Sequence, residues 1–239
     1  MANVLPSVAI LAGGFATRLG ATAAAVPKCL LDIAGEPFLL CQARLLAAGG
    51  VTRLVVCAGH LAEQVEHAAA TLPWPAATRI EVVRDGARLL GTAGAVRRAL
   101  PALGGAFFVL YGDSYLPCDY RAVHEAFRRS GRPALMTVYR NEDRWDTSNV
   151  EIEEGRIVRY DKVNRTPGMK HLDYGLGLFR AEVFERLPAG EPADLAALYG
   201  ALVASGELAA FEVHERFYEI GSAAGLAELR AHLGGGGAS

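Results

Sequence analysis

The stretch Ser7-Val8-Ala9-Ile10-Leu11-Ala12-Gly13-Gly14-Phe15-Ala16-Thr17-Arg18-Leu19, with Pro27-Lys28 shortly beyond it, decides the fold. Ser7 to Leu11 is a short apolar run that reads as a buried strand. It stops at paired glycines, which let a backbone turn tightly and bring its N–H groups close to phosphate oxygens. The loop beyond carries one arginine, Arg18, and then one lysine, Lys28. A guanidinium grips phosphate oxygens as a fork, whereas an ammonium supplies a mobile point charge. The same residues also suit a plain strand-to-loop turn with two surface cations, because Gly-Gly turns are common.

Two rival phosphate loops can be tested on the letters. The chain has no GxxxxGK[ST], so a P-loop NTPase is unsupported. It has no GxGxxG after the first strand, and no glycine between Gly14 and Gly20. That spacing weakens a dinucleotide-binding oxidoreductase.

Working outward, strand and helix signals alternate. Pro37 to Ala48 has helical spacing, with proline suited to the first turn and Gly49-Gly50 to the stop. Leu54 to Ala58 reads as a strand, and Leu61 to Leu72 as one face of a helix. Arg79 to Val83 and Phe107 to Tyr111 are further strands, separated by a helix over Thr92 to Leu100. This order predicts an α/β fold with a mainly parallel sheet flanked by helices and right-handed crossovers. Closely spaced strands then follow at Ala134–Tyr139, Asn149–Ile152, Arg156–Tyr160 and Gly175–Phe179, with a hairpin turn at Glu153-Glu154-Gly155. They read as a mixed extension of the same sheet. Short helices are expected over Ala181–Leu187, Asp194–Ser205 and Ser222–Leu233, before a flexible glycine-rich tail, 234–239.

Composition narrows the partners. A net charge of -2 with scattered basic residues gives no field for gripping a nucleic-acid backbone. No segment approaches the ~20 apolar residues of a membrane helix. Cys29, Cys41, Cys57 and Cys118 show neither CxxC nor zinc spacing, so a soluble protein of the reducing cytoplasm is expected.

At this point the residues resemble a family. LAGGFATRL…PK is similar to the signature of the sugar-1-phosphate nucleotidyltransferases, [LI]AGGxGTRLxPLT…PK. Leu90-Gly91-Thr92-Ala93-Gly94 resembles the family's LGTAGA segment, and Tyr111-Gly112-Asp113 its GD motif at the end of a core strand. Tyr160-Asp161-Lys162 takes the place of an EK pair on a later strand, and Phe217 to Ser222 resembles the (W/Y)xDIGTP segment. Length and the near-terminal motif look most like heptose-1-phosphate guanylyltransferases. The departures are Ala16 for a loop glycine, Asp161 for glutamate, Val163 for proline and Glu219 for aspartate.

The resemblance implies a Rossmann-like nucleotidyltransferase domain over 1–233, with about 1–115 holding nucleotide and about 116–233 holding sugar. The expected reaction joins an NTP to a sugar 1-phosphate by in-line attack on the α-phosphate, with Mg²⁺ as cofactor and a lean toward GTP and a heptose or mannose-type sugar. Asp113 and Glu219 would hold the metal, since this hard ion prefers oxygen ligands. Arg18 would hold the β- and γ-phosphates, Lys28 would bridge the two substrates, and Lys162 would grip the sugar phosphate. Leu11, Ala12, Gly13, Gly14, Thr17, Gly91, Thr92 and Gly112 would line the nucleotide site. Asn149, Asp161, Tyr174 and Gly175 would meet the sugar. Trp145 could form a sugar-facing lid, and His60 and Trp74 read as ordinary loop residues. Relatives leave a homodimer open. Two other classes stay in view: a non-catalytic nucleotide-sugar binding module of the same fold, and an NAD(P)-dependent oxidoreductase.

Overall fold

The computed structural model describes residues 4–14 and 25–234. Thr17, Arg18 and tail residues 235–239 lie outside the described residues.

The first strand, β1 (Ser7–Leu11), runs through the middle of the sheet with Val8, Ala9 and Ile10 fully buried. Burial on both faces explains why it reads as an unbroken apolar run rather than an alternating one. Side chains still alternate across the sheet. Val8 and Ile10 pack with Leu39, Leu46 and Val65 on one face, and Ala9 packs with Ala93, Val96 and Ala99 on the other. Leu39 and Leu46 belong to helix α1 (Phe38–Ala48), Val65 to α2 (Ala62–Thr71), and Ala93, Val96 and Ala99 to α3 (Gly91–Leu103).

β1 pairs in parallel with β4 (Arg53–Ala58) on one side and β6 (Ala106–Tyr111) on the other, and β5 (Arg79–Arg84) continues beyond β4. Two-residue strands β2 (Asp32–Ile33) and β3 (Glu36–Pro37) form a separate ladder. The chain therefore winds outward from β1 to β5 and then returns across β1 to β6. That reversal opens a crevice at the carboxyl ends of β1 and β6, where α/β sheets bind ligands. Ala12-Gly13-Gly14 and Gly112-Asp113 are the residues that emerge there.

Beyond β6 the sheet becomes mixed, as expected. β11 (His171–Arg180) lies antiparallel to β6 and to β8 (Ala134–Arg140), and β12 (Leu208–Val213) is parallel to β8. The hairpin β9 (Val150–Glu153)–β10 (Arg156–Tyr160) turns through Glu154 (φ 49°) and Gly155 (φ 74°), both left-handed as a tight hairpin requires. A short antiparallel ladder joins β7 (Ser114–Tyr115) to β13 (Tyr218–Glu219), and Ile220 N donates to Asp113 O at 2.9 Å. This ladder carries the C-terminal segment to the crevice. Helices α5 (Ala181–Glu185), α6 (Leu195–Ala204) and α7 (Ala223–Gly234) complete the chain.

Several boundaries differ from the sequence reading. β11 starts at His171 rather than Gly175, and a register shift between Asp173 and Gly177 interrupts it. Gly175 sits in that shift at φ 101°, which broke the apparent alternation. Asp161 and Lys162 lie past the end of β10, not on it. β12 and α4 (Tyr120–Ser130) had no assignment from the sequence. Helix α4 buries Tyr120, Val123 and Phe127. Its remaining face is mostly polar, so its apolar signal is thin. Asp119 caps it, accepting from Arg121 N and Ala122 N, and Gly131 at φ 65° ends it.

Candidate active site

The crevice begins where β1 and β6 part. Gly112 N donates to Leu11 O at 3.0 Å, and a Cβ on Gly112 would collide with that carbonyl. Glycine there lets the GD turn lie directly against the first loop. Two cavities open from this point. The first, about 290 Å³, is lined by Leu11, Ala12, Gly13, Gly14, Lys28, Gly91, Thr92, Gly112 and Asp113 among others. The second, about 720 Å³, is lined by Asp113, Asn149, Lys162, Tyr174, Gly175 and Glu219 among others. Asp113 and Tyr111 line both, so this carboxylate stands where the two cavities meet.

Lys28, in a 3-10 turn spanning Lys28–Leu30, points its Nζ at Asp113 Oδ2, 3.1 Å away. Glu219 is held on two sides: Oε2 accepts from Gly221 N at 2.6 Å, and Oε1 from Ser222 Oγ at 2.8 Å. A Cβ built on Gly221 would collide with Glu219 Oε2 and lie 3.7 Å from Asp113 Oδ2. The two carboxylates thus face a common space that only a missing side chain keeps open. No group of three or more His, Cys, Asp or Glu side chains is gathered as a metal site among the described residues. A carboxylate pair suits a hard divalent cation that keeps several waters and takes its remaining ligands from phosphates.

Some residues expected at the site are occupied by the fold itself. Thr92 lines the first cavity, yet its Oγ1 accepts from Leu195 N at 2.7 Å. Ala93 N and Gly94 N at the start of α3 both donate to Ala193 O, at 2.9 and 3.2 Å. The helix terminus is therefore capped by protein rather than presented to an anion. Asn149 Oδ1 accepts from Asp173 N at 2.9 Å, and Tyr174, 1% exposed, donates its hydroxyl to Pro117 O at 3.0 Å. Asp161 is not brought to either cavity. Its Oδ1 accepts from Val163 N and Asn164 N, both at 2.8 Å, and these bonds hold its pKa below the usual value. Short polar side chains after a strand commonly close a turn in this way. His60 follows β4 and lines neither cavity, and Trp74 donates its indole N–H to Ala69 O at 2.8 Å.

The structure adds three polar residues that the sequence did not single out. Gln42 in α1 is 1% exposed and donates to Tyr111 O (3.3 Å) and Ser114 O (2.7 Å), on either side of Asp113. Its only signal was one amide inside the apolar run Phe38-Leu39-Leu40-Cys41-Gln42. Asp85 lines the first cavity, 7% exposed, and its Oδ2 accepts from Leu90 N at 3.0 Å. Desolvation raises its pKa, against the pull of Leu90 N–H and Arg98. In the letters, Arg84-Asp85-Gly86 looks like an ordinary turn. Asp173 lines the second cavity with its side chain only 3% exposed. Burial raises its pKa, while Lys162 (Nζ 3.9 Å away), Gly175 N–H and the Tyr160 hydroxyl pull it down. The Lys162 ammonium also sits 5.2 Å from the Tyr111 ring centre. Cys29 and Cys57 border the first cavity, and burial pushes both thiols up to about 12, which removes them as nucleophiles.

Comparison with known proteins places the chain among nucleotidyltransferases. Mannose-1-phosphate guanyltransferase beta-B of Xenopus laevis is 25% identical over 217 residues, covering 89% of this chain and 60% of the relative. The chain thus spans about three fifths of that protein's length. N-acetylmuramate alpha-1-phosphate uridylyltransferase of Neisseria meningitidis serogroup B is 28% identical over 232 residues, covering 94% of this chain and 97% of the relative. Among solved structures, HddC from Yersinia pseudotuberculosis complexed with GMP-PN has a TM-score of 0.81 at 21% identity, covering 96% of this chain and 100% of that one. The inositol-1-phosphate CTP transferase from T. maritima has a TM-score of 0.76 at 24% identity, covering 99% of each chain. These structural likenesses establish the α/β nucleotidyltransferase fold. No helix among the described residues is long and apolar enough to cross a membrane. The profile of the MobA-like NTP transferase domain runs through residues 8–234, from the first strand to the last helix, and the chain belongs to that family.

Proposed function

We propose that the protein is a sugar-1-phosphate nucleotidyltransferase, with the first cavity taking the nucleoside triphosphate and the second the sugar 1-phosphate. One observation carries this reading: Asp113 lines both cavities, so a metal held there would touch both substrates. The first half of the chain supplies the nucleotide side, and the second half most of the sugar side. The names of the relatives, which are sugar-phosphate guanylyl- and uridylyltransferases, support the same reaction class.

Asp113 and Glu219 would hold Mg²⁺, which when bound supplies positive charge at the α-phosphate and neutralises the triphosphate. A sugar phosphate oxygen is already anionic, so no protein nucleophile or strong base is needed. The protein's part is positioning and fixed charge. Lys28 sits on the first cavity's border and reaches the junction, where an α-phosphate and an incoming phosphate would both lie. Lys162, across the second cavity, neutralises the incoming phosphate from the opposite side. Arg18 is assigned to the β- and γ-phosphates on its place in the motif alone.

Base and sugar choice follow from the walls. Asp85 offers a carboxylate to a pocket that is otherwise largely apolar, and a carboxylate accepts well from two adjacent donors. Guanine presents N1–H and N2–H₂ side by side, so GTP is the favoured nucleotide. The charged side chains of the second cavity are Asp113, Asp146, Asp173 and Glu219 against Lys162. That balance favours a neutral, hydroxyl-rich sugar of the heptose or mannose type over one bearing a further carboxylate. The test is pyrophosphate release with a panel of NTPs, sugar 1-phosphates and Mg²⁺. GTP-dependent release that disappears on chelation supports the reading, and no release with any pair refutes it.

A further inference from the structure

Trp145 stands on the loop between β8 and β9 with 48% of its surface exposed, yet the loop holding it is firmly built. Asn141 and Ser148, both fully buried, tie its ends. Asn141 Oδ1 accepts from Trp145 N at 3.1 Å, and Asp143 Oδ1 accepts from Ser148 N at 2.9 Å. The indole borders the second cavity, which Phe217 and Glu219 also line.

A second residue fixes that indole. The Arg216 guanidinium lies 3.6 Å from the Trp145 ring centre and 5.0 Å from that of Tyr218, and it pairs with Glu228 of α7. Arg216 Nε is buried without a hydrogen-bond partner. Leaving a buried donor unmade is unfavourable. The arrangement persists because the guanidinium plane lies against aromatic faces, where stacking and cation–π attraction compensate. Arg216 precedes Glu219 by one short step of chain, so the same segment delivers both the metal-side carboxylate and the brace behind the indole.

We infer that Trp145 is a wall of the sugar site and that Arg216 is a positioning residue, whose stack sets the indole plane against which the sugar ring lies. This rests on the nucleotidyltransferase reading and adds a recognition element to its sugar side. An aromatic face suits the C–H face of a pyranose, while the carboxylates lining the same cavity take its hydroxyls. Arg216 itself lines neither cavity, so its effect on the sugar runs through the indole it stacks on.

The chain has two tryptophans, so Trp74→Phe leaves Trp145 as the sole indole reporter. In that background, Trp145 emission should change when the sugar 1-phosphate is added, and change little with GTP alone. Trp145→Ala should raise the KM for the sugar 1-phosphate about tenfold. That rise should exceed the fall in kcat, with the KM for GTP nearly constant. Trp145→Phe should keep most of the affinity. Arg216→Met should shift the resting emission and raise the sugar KM several-fold, with Arg216→Lys partly restoring both. A wild-type sugar KM in folded Trp145→Ala overturns this inference alone. Emission blind to a sugar phosphate that the enzyme turns over does the same. Absence of any NDP-sugar formation by the wild-type protein would instead bring down the underlying reading, and this inference with it. Trp145 is an exposed loop side chain, so its variants stay informative even if Arg216→Met fails to fold.

Discussion

Lys28 Nζ lies 3.1 Å from Asp113 Oδ2, so the cation assigned to phosphate and the carboxylate assigned to metal are paired with each other. Lys28 is only 18% exposed in this pair, which limits screening by water. A divalent ion approaching Asp113 therefore competes with an ammonium for the same oxygen. In Lys28→Met the competitor is gone, and the site's negative potential rises. Mn²⁺ affinity, measured by titration without nucleotide, should increase several-fold, while turnover falls roughly a hundredfold through loss of transition-state charge. Weaker or unchanged Mn²⁺ binding would count against the competition.

Gln42 predicts a loss that travels through backbone. Its amide holds the carbonyls of Tyr111 and Ser114, the residues that bracket Gly112-Asp113. Gln42→Leu keeps the volume and leaves those carbonyls without their donor in a buried place. Unmade bonds of this kind cost about 1–3 kcal/mol each. We expect denaturant stability to drop by about 2 kcal/mol, and kcat to fall further than nucleotide affinity because Asp113 loses its fixed position. A variant with wild-type stability and kcat would show the turn to be self-supporting.

How much of this was legible in the letters varied with the kind of information required. The apolar runs at Ser7–Leu11 and Phe107–Tyr111 are buried on both faces, so their composition alone marked them as central strands. The motif pairs Gly13-Gly14 and Gly112-Asp113 mark the same crevice, and at Gly112 the glycine answers a close approach to Leu11 O that leaves a trace in sequence. Gln42, Asp85 and Asp173 left no such trace. Each is a single polar residue inside a helix, turn or strand, and its importance comes from which distant carbonyl, amide or lysine the fold brings to it. Asp161 shows the converse. Its place beside Lys162 matched the motif, but a local turn with Val163 and Asn164 claimed its carboxylate. Helix α4 was missed because only one narrow stripe of it is apolar.

Asp173 gives a pH signature. Desolvation raises its pKa despite the opposing pull of Lys162, Gly175 N–H and Tyr160, so the folded protein holds this proton to higher pH than the unfolded chain does. Between the ordinary aspartate value of about 3.9 and the raised one, the native state binds more protons, and stability falls as pH rises. Below that window the penalty is absent. Asp173→Asn carries no such charge, so its stability relative to wild type should improve as pH climbs from about 4, then level off once the wild-type carboxyl is ionised. Turnover should fall, because Lys162 loses the partner that orients it. Urea unfolding at a series of pH values reads the difference, and a gap that stays constant across the series would sink the idea.

Gly221 allows the carboxylate pair to be tested without removing either carboxylate. It does not use a left-handed φ, so alanine is acceptable to the backbone itself. The added methyl, however, would enter the space that Asp113 and Glu219 share, colliding with Glu219 Oε2 and lying 3.7 Å from Asp113 Oδ2. Glu219 is tethered to Gly221 N and Ser222 Oγ and cannot retreat without breaking those bonds. A cation that relies on water and phosphate to complete its shell would lose room for them first. Gly221→Ala should therefore stay folded, retain GTP binding in the absence of metal, and lose Mg²⁺-dependent pyrophosphate release by about a hundredfold or more. Larger ions should rescue less than smaller ones, since the space has shrunk while the charges have not. A Gly221→Ala protein with full activity and unchanged metal dependence would mean that the ion sits elsewhere than between these two side chains.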